Sequence, residues 1–244
     1  MNKLHVITPV KDSIKTTERT VDSVMASVTA IPFAYTVYND FSNDENTQKL
    51  TELSKKHNFQ LIHLKDITSH PSPNYLLVLQ KAQEKALSDK THLIIIESDV
   101  IIEKNTIQQL YDCADMLENA GLVSAVTTDE NGNINFPNLH ARKYKKGIVS
   151  TRKRISFCCA LLTCKLLSTL DFNALNPAKD WYDVIISHKA LRTGFKNYMN
   201  TLCPVIHLPH SSRPWKLLKY SNPLKYYWLK YTKQLKKQTN KFEQ

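Results

Sequence analysis

The sequence predicts an α/β fold in which helices cover both faces of a mostly parallel sheet. Short apolar segments of strand length alternate with longer segments that carry an apolar residue every three or four positions. This β-α-β order favours parallel strands, because each helix returns the chain to the same edge of the sheet. Residues 93–96 are four aliphatic residues in a row, which is typical of a strand buried on both faces.

The alternation is clearest in the first half of the chain. The strands predicted there are 4–10, 33–38, 59–64 and 93–96. The helices predicted between them are 13–29, a segment around Leu50 and Leu53, and 75–87. The second half is predicted to add a helix after Asn105, strands at 122–127, 156–162 and 198–206, and a helix at 180–193 that ends at Gly194.

Composition excludes several classes of protein. The chain has only four glycines and contains neither of the glycine-rich phosphate motifs, GxGxxG and GxxxxGK[ST]. No apolar run approaches the roughly 20 residues that span a bilayer, and the N-terminus lacks a signal peptide's apolar core. Five cysteines, an odd number, are typical of reduced residues rather than of a disulfide framework or a metal cluster. We therefore expect a cytoplasmic protein.

The net charge of +11 predicts an anionic partner, and the positive charge is concentrated in two segments. The basic cluster, residues 142–154, is either a solvated loop or a segment that grips phosphate. The basic and aromatic tail, residues 213–244, is expected to contain a helix that contacts the inner face of an anionic membrane. A packed or oligomeric helix and a nucleic-acid contact are the alternatives for the tail. A nucleic-acid-binding protein would explain the charge, but it leaves the acidic residues described next without a purpose.

Two acidic residues follow the apolar run at 93–96. In an extended segment, residues two apart point to the same side, so Glu97 and Asp99 are predicted to converge on one point. That point lies at the carboxyl edge of the predicted sheet, where open α/β sheets bind their ligands. Two carboxylates there favour Mg²⁺ or Mn²⁺ bound together with a phosphate-bearing substrate.

Four segments resemble, in the same order, the motifs of the family 2 glycosyltransferases, over about residues 4–212. The opening strand reaches Thr8-Pro9-Val10 where the family has a strand ending in Ile-Pro-Thr. Asn39-Asp40-Phe41-Ser42-Asn43-Asp44 resembles the family's Asp-Asp-Gly-Ser-Thr-Asp. Glu97-Ser98-Asp99 resembles its DxD motif, and Tyr182-Asp183 followed by Gly194 and His207 resembles its succession of Glu-Asp, Gly and His.

This resemblance implies the GT-A fold, which has a Rossmann-like sheet, and the transfer of a sugar from a nucleotide-sugar donor with inversion. It implies that the donor is bound by Pro9, Val10, Asp40 and Ser98, with Asp40 at the base or ribose. The acceptor it implies is a saccharide or a lipid-linked group, in the assembly of a cell-surface polysaccharide or glycolipid.

The same resemblance divides the chain at residue 212. Residues 1–212 would form the glycosyltransferase domain, with a nucleotide-sugar-binding half at 1–100 and an acceptor-side half at 101–212. Residues 213–244 would form the basic and aromatic tail.

A divalent metal, Mn²⁺ or Mg²⁺, is also implied. Asp99 is the first choice of protein ligand, and Glu97 would bind directly or through water. His207 would complete the shell, with His210 as its rival, because Pro209 between them makes a rigid turn that lets both face the site.

On the acceptor side, the resemblance makes Asp183 the general base that takes the proton of the acceptor hydroxyl. A position near a helix start would keep this carboxylate ionised. Asp180 is its competitor, and Trp181 or Tyr182 could stack on a sugar ring. Departures from the family pattern, Tyr182 among them, leave a catalytically degenerate assembly partner as an alternative.

Overall fold

The structure of the protein is a computed structural model that describes residues 4–178, 181–208 and 222–232. Its strands are β1 (Leu4–Val10), β2 (Phe33–Asn39), β3 (Gln60–His63), β4 (His92–Ile96), β5 (Val100–Ile101), β6 (Ala120–Thr128), β7 (Ile148–Thr151), β8 (Cys159–Leu162) and β9 (Lys196–His207). Its α-helices are α1 (Ile14–Met25), α2 (Asp44–His57), α3 (Tyr75–Ser88), α4 (Thr106–Met116), α5 (Cys164–Thr169), α6 (Tyr182–Arg192) and α7 (Pro223–Tyr231).

These strands form one sheet in the order β3-β2-β1-β4-β8-β6-β9-β5, and β7 also pairs with β9. Strands β1 to β4 are parallel to one another. Strand β8 is antiparallel to both of its neighbours, and β9 is parallel to β6. Strands β1 to β4, β6 and β9 therefore share one direction. The predicted α/β fold with a mostly parallel sheet is confirmed.

Strand β4 is the central strand of this sheet, and both of its faces are buried as its sequence predicts. Ile94 and Ile96 pack into the apolar cluster on one face, whereas Leu93 and Ile95 pack into the cluster on the other. All four side chains are fully buried. Side chains thus alternate between the two faces of β4, and apolar packing on both faces holds the strand in place up to Glu97.

The helix predicted at 13–29 ends earlier, because α1 stops at Met25. The Val28 amide donates to the Lys104 carbonyl at 2.7 Å instead of continuing the helix, and the Val28 side chain is 69% exposed. The predicted end of α6 is confirmed. The Gly194 and Phe195 amides close the helix on the carbonyls of Leu191 and Ala190, and Gly194 has a φ of +88°.

The predicted boundary between the domain and the tail, residues 212 and 213, lies outside the described residues. Of the tail, 222–232 are described and contain α7. One side of α7 is buried through Tyr226 and Leu229, whereas Trp228 is 59% exposed. Among the helices of the described ranges, none is both long enough and apolar enough to span a membrane.

Candidate functional site

Glu97 and Asp99 do meet at the carboxyl end of β4, but the extended backbone predicted for them is wrong. Strand β4 ends at Ile96, and Ser98 and Asp99 form a turn. The turn is closed by the Val100 amide, which donates to the Glu97 carbonyl at 3.1 Å. Both carboxylates lie near the same histidine. His207 Nε2 is 3.6 Å from Asp99 Oδ2, and its ring also forms a cluster with Glu97.

Backbone pairing places His207 at this position. Val100 in β5 lies opposite His207 at the end of β9, and the Leu208 amide donates to the Asp99 carbonyl at 2.8 Å. His207 Nδ1 lies 2.7 Å from the Phe136 carbonyl, which can only accept a hydrogen bond. The ring therefore carries its proton on Nδ1 when neutral, and the Nε2 lone pair faces Asp99.

Cys158 is a member of the site that the sequence did not predict. Its thiol donates to Glu97 Oε2 at 3.1 Å, and the Glu97 amide donates to the Cys158 carbonyl at 3.0 Å. One ligand atom each from Glu97, Cys158 and His207 lies within 4.8 Å of the others. The position of Cys158 follows from the antiparallel pairing of β8 with β4, for which the sequence contains no local signal.

The site concentrates negative charge in a poorly hydrated place. Burial raises the pKa of Glu97, and the negative charge of Asp99 raises it further. Burial also raises the pKa of the Cys158 thiol well above its ordinary value, followed by the charges of the same two carboxylates. Asp99 Oδ1 is buried and has no hydrogen-bond partner within the part of the chain that the structure describes. A buried oxygen of this kind, beside a second carboxylate and an imidazole lone pair, fits a divalent cation.

Ser98 and the end of β1 lie at the same edge of the sheet. The Ser98 hydroxyl is 3.2 Å from that of Ser13, the residue before α1. Pro9 lies opposite Tyr38 in β2. Val10 is 2% exposed, and its carbonyl accepts from the Asp40 amide at 2.8 Å. Pro9, Val10 and Ser98 therefore line the carboxyl edge of the strands, where their binding of a donor stays a prediction.

Asp40 is buried, and its carboxylate already accepts three hydrogen bonds from two residues of the protein. Oδ2 accepts from the Ser72 hydroxyl at 2.8 Å and from the Asn74 amide at 2.9 Å. Oδ1 accepts from the Asn74 side-chain amide at 2.8 Å. Asp40 therefore anchors the loop that leads into α3, which is a role the sequence did not predict.

Asp183 lies in the first turn of α6, as predicted, and is paired with the last residue of the basic cluster. Arg154 Nη1 donates to Asp183 Oδ2 at 2.7 Å, and the Val184 amide donates to Oδ1 at 2.8 Å. The negative charge of Asp183 contributes to the raised pKa of Glu97, which places it within electrostatic range of the carboxylates. Its competitor Asp180 lies outside the described residues, as does His210.

The two aromatic residues predicted on the acceptor side have different surroundings. Trp181 is 56% exposed and can meet a ligand. Tyr182 is only 5% exposed, and its ring lies 6.4 Å from that of Tyr75 between centroids. The prediction that Tyr182 stacks on a sugar ring does not fit this burial, because the first turn of α6 turns the ring into the core.

Tyr75 is a second unpredicted member of the site. Its hydroxyl is buried and has no hydrogen-bond partner in residues 4–178, 181–208 and 222–232. Burial raises its pKa well above the ordinary value, and the charges of Glu97 and Asp183 raise it further. The first residue of α3 therefore lies within electrostatic range of both Glu97 and Asp183. A tyrosine at a helix start carries no sequence signal of this role.

The fold and the site together place the chain among glycosyltransferases. It belongs to glycosyl transferase family 2, whose model matches residues 5–167, more than half of the chain. That match contains Asp40, Glu97 and Asp99, whereas Asp183 and His207 lie beyond its end. Among curated proteins, no match to the chain is found.

Solved structures share the GT-A fold at low identity. The mannosyltransferase PcManGT from Pyrobaculum calidifontis, in complex with GDP-Man and Mn²⁺, has a TM-score of 0.63 and 14% identity over 87% of this chain and 59% of its own. S. aureus TarS 1-349 in complex with UDP has a TM-score of 0.60 and 17% identity over 89% and 62%. GalNAc-T7 with UDP, GalNAc and Mn²⁺ has a TM-score of 0.62 and 15% identity over 90% and 47%. The present chain spans less than two thirds of each of these structures.

The three hydrogen bonds of Asp40 predict a structural cost for its removal. In Asp40→Asn, an amide group replaces one acceptor oxygen and leaves at least one buried donor unpaired. We expect the free energy of unfolding to fall by about 2–3 kcal/mol, measured by urea denaturation. The matched control is Ser72→Ala, which removes a single bond and should cost about 1 kcal/mol. Unchanged stability of Asp40→Asn together with lost nucleotide affinity would instead assign Asp40 to the ligand.

Proposed function

We propose that the protein transfers a sugar, with inversion, from a nucleotide-diphosphate donor to a saccharide or lipid-linked acceptor. The observation that carries this proposal is the position of His207 at the carboxyl end of β4, 3.6 Å from Asp99 and in one cluster with Glu97. Membership of glycosyl transferase family 2 supports the reaction class. The assembly of a cell-surface polysaccharide or glycolipid is the process in which we place it.

Asp99, Glu97 and His207 would hold a divalent cation, Mn²⁺ or Mg²⁺. When bound, such a cation neutralises the charge that develops on the leaving diphosphate. The buried Asp99 Oδ1 supports this assignment because it has no partner among the described residues, and an unpaired buried carboxylate oxygen is costly. The hydrogen bond from His207 to the Phe136 carbonyl supports it too, because it keeps Nε2 free of a proton in the neutral ring.

Asp183 would act as the general base. Arg154 and the Val184 amide fix the orientation of its carboxylate, and each carboxylate oxygen keeps a further lone pair for the proton of an acceptor hydroxyl. The exposed ring of Trp181, next to α6, would pack against the acceptor sugar. Pro9, Val10 and Ser98 would border the donor.

A degenerate family member that serves as an assembly partner is the second candidate. The ion pair between Arg154 and Asp183 favours it, because an arginine occupies the carboxylate that would have to accept a proton. The buried position of Tyr182 favours it as well. Such a protein would bind no nucleotide diphosphate in the presence of Mn²⁺.

The exposed face of α7 is the proposed contact with an anionic membrane surface. Leu224, Tyr227, Trp228 and Tyr231 are each more than half exposed. Aromatic side chains of this kind favour the headgroup layer, and the net charge of +11 favours anionic lipids. Peripheral attachment would bring a lipid-linked acceptor to the site.

Removal of one metal ligand tests the cation site. Asp99→Asn should weaken the Mn²⁺-dependent binding of a nucleotide diphosphate at least about tenfold, since even the outer-shell partners of metal ligands contribute about 10- to 100-fold. Titration calorimetry with UDP and GDP, with and without Mn²⁺, measures the effect. The control is Glu103→Gln, which alters an exposed acid just beyond β5 and should leave the affinity unchanged.

Equal Mn²⁺-dependent affinities in Asp99→Asn and the unmodified protein would contradict the metal assignment. A thermal-shift panel of UDP-, GDP- and dTDP-sugars, with and without Mn²⁺, identifies the donor nucleotide. If none of them shifts the transition, the degenerate alternative is favoured.

Neutralising the proposed base should stop the chemistry without affecting the donor. Asp183→Asn is expected to lower kcat by about 10²- to 10⁴-fold, the range that general bases contribute. Donor affinity in the same variant should be retained, because Asp183 would act on the acceptor. Asp115→Asn, an exposed change on α4, is the matched control. If Asp183→Asn has the same kcat as the unmodified protein, another group is the base.

The membrane proposal is tested by co-sedimentation with lipid vesicles. The protein should pellet with phosphatidylglycerol vesicles and not with phosphatidylcholine vesicles, and added salt should release it. Replacing Trp228 and Tyr231 by serine should weaken this binding. The control is Trp181→Ser, which removes a similarly exposed tryptophan outside the tail and should not weaken it. Failure of the unmodified protein to pellet with either vesicle would remove the membrane contact.

A further inference from the structure

The thiol of Cys158 is a soft ligand placed among hard ones. Its sulfur lies 3.1 Å from Glu97 Oε2, and it clusters with Glu97 and the His207 ring within 4.8 Å. Sulfur, carboxylate oxygen and imidazole nitrogen are the three donor types that Zn²⁺ takes in proteins. Cys158 is itself only 4% exposed, so bulk water has little access to it.

We propose that Cys158 is a further metal ligand, which lets the site also bind a thiophilic divalent cation such as Zn²⁺ or Co²⁺ in competition with Mn²⁺. The inference rests on the proposed function, because it concerns the same cation site. Cys158, Glu97 and His207 would bind the ion, and Asp99 would supply a fourth donor, since its Oδ2 lies 3.6 Å from His207 Nε2.

Ligand chemistry separates this proposal from a site of oxygen donors alone. Mg²⁺ and Mn²⁺ prefer carboxylate, carbonyl and water oxygens, whereas a thiolate selects softer ions such as Zn²⁺. A thiophilic cation would compete with Mn²⁺ for Glu97 and His207. The nature of the bound ion would thus depend on one residue that the oxygen-rich motif at 97–99 does not include.

The donors are held in place before any ion binds. The Glu97 amide bonds to the Cys158 carbonyl at 3.0 Å, and Ile96 lies opposite Cys159, so two neighbouring strands fix Glu97 and Cys158 relative to each other. His207 is fixed by Phe136. On binding, the Cys158 sulfur would exchange its S–H bond for a bond to the cation, and the proton would pass to solvent. Asp99 Oδ1, which is buried and has no partner among the residues that the structure describes, is a second and independent sign that a ligand belongs here.

Co²⁺ is the probe that reports sulfur ligation directly, because a thiolate bound to Co²⁺ gives a charge-transfer absorption band in the near ultraviolet. The full chain is titrated with Co²⁺ without oxygen, with and without UDP. Cys158→Ala is compared with Cys159→Ala, the same change at the adjacent cysteine, which is equally well buried and is not one of the three residues of the cluster.

We expect the band in the unmodified protein and in Cys159→Ala, and its loss in Cys158→Ala. Competition with Zn²⁺ should show that Cys158→Ala weakens Zn²⁺ binding at least about tenfold while changing Mn²⁺ binding less. If the unmodified protein binds Mn²⁺ but gives no thiolate band when titrated with Co²⁺, the role of Cys158 is overturned and the proposed function stays intact. Absence of all cation binding, with UDP present, would overturn both.

Discussion

The pairing of β5 with β9 is the constraint on which the site depends. Strand β5 has only two residues, yet it lies beside the last two residues of a 12-residue strand. The register puts Val100 opposite His207, and the Leu208 amide bonds to the Asp99 carbonyl. Groups that are far apart along the chain are thus joined through backbone hydrogen bonds. The side chains of Asp99 and His207 lie close together because these backbone hydrogen bonds fix the positions of both residues.

This arrangement has an electrostatic cost that the rest of the site offsets only in part. Two carboxylates and a thiol share a partly buried volume, and burial is the largest cause of the raised pKa of both Glu97 and Cys158. When its ring is protonated, His207 lowers the pKa of Glu97, and the hydrogen bond from the Cys158 thiol lowers it further. Asp99 Oδ1 accepts no hydrogen bond from any of the described residues. A site of this kind gains more from a bound cation than an exposed acidic pair does, because little water competes for the oxygens.

The sequence predicts the strands that carry the site better than the set of side chains that meet in it. The apolar run of β4 and the alternation around it determine where Glu97 appears, and the end of β9 could be predicted to carry His207. The turn at Ser98 could not be predicted, because it depends on the pairing of β5 with β9. Cys158 comes from antiparallel pairing across the sheet, which leaves no local pattern. The inward ring of Tyr182 likewise follows from the direction of α6 against Tyr75, and not from its residue type.

The Arg154–Asp183 ion pair is the feature that separates the catalytic reading from the degenerate one, and its strength can be bounded. The arginine and aspartate side chains are 36% and 20% exposed, so solvent screens their attraction. Pairs this exposed contribute about 0–1 kcal/mol, which is less than the free energy of a tenfold change in an equilibrium. An incoming anionic donor could therefore draw the guanidinium away from Asp183 at little cost. With the guanidinium displaced, the carboxylate would be open to accept a proton, so the ion pair is compatible with the proposed role of Asp183 as a base.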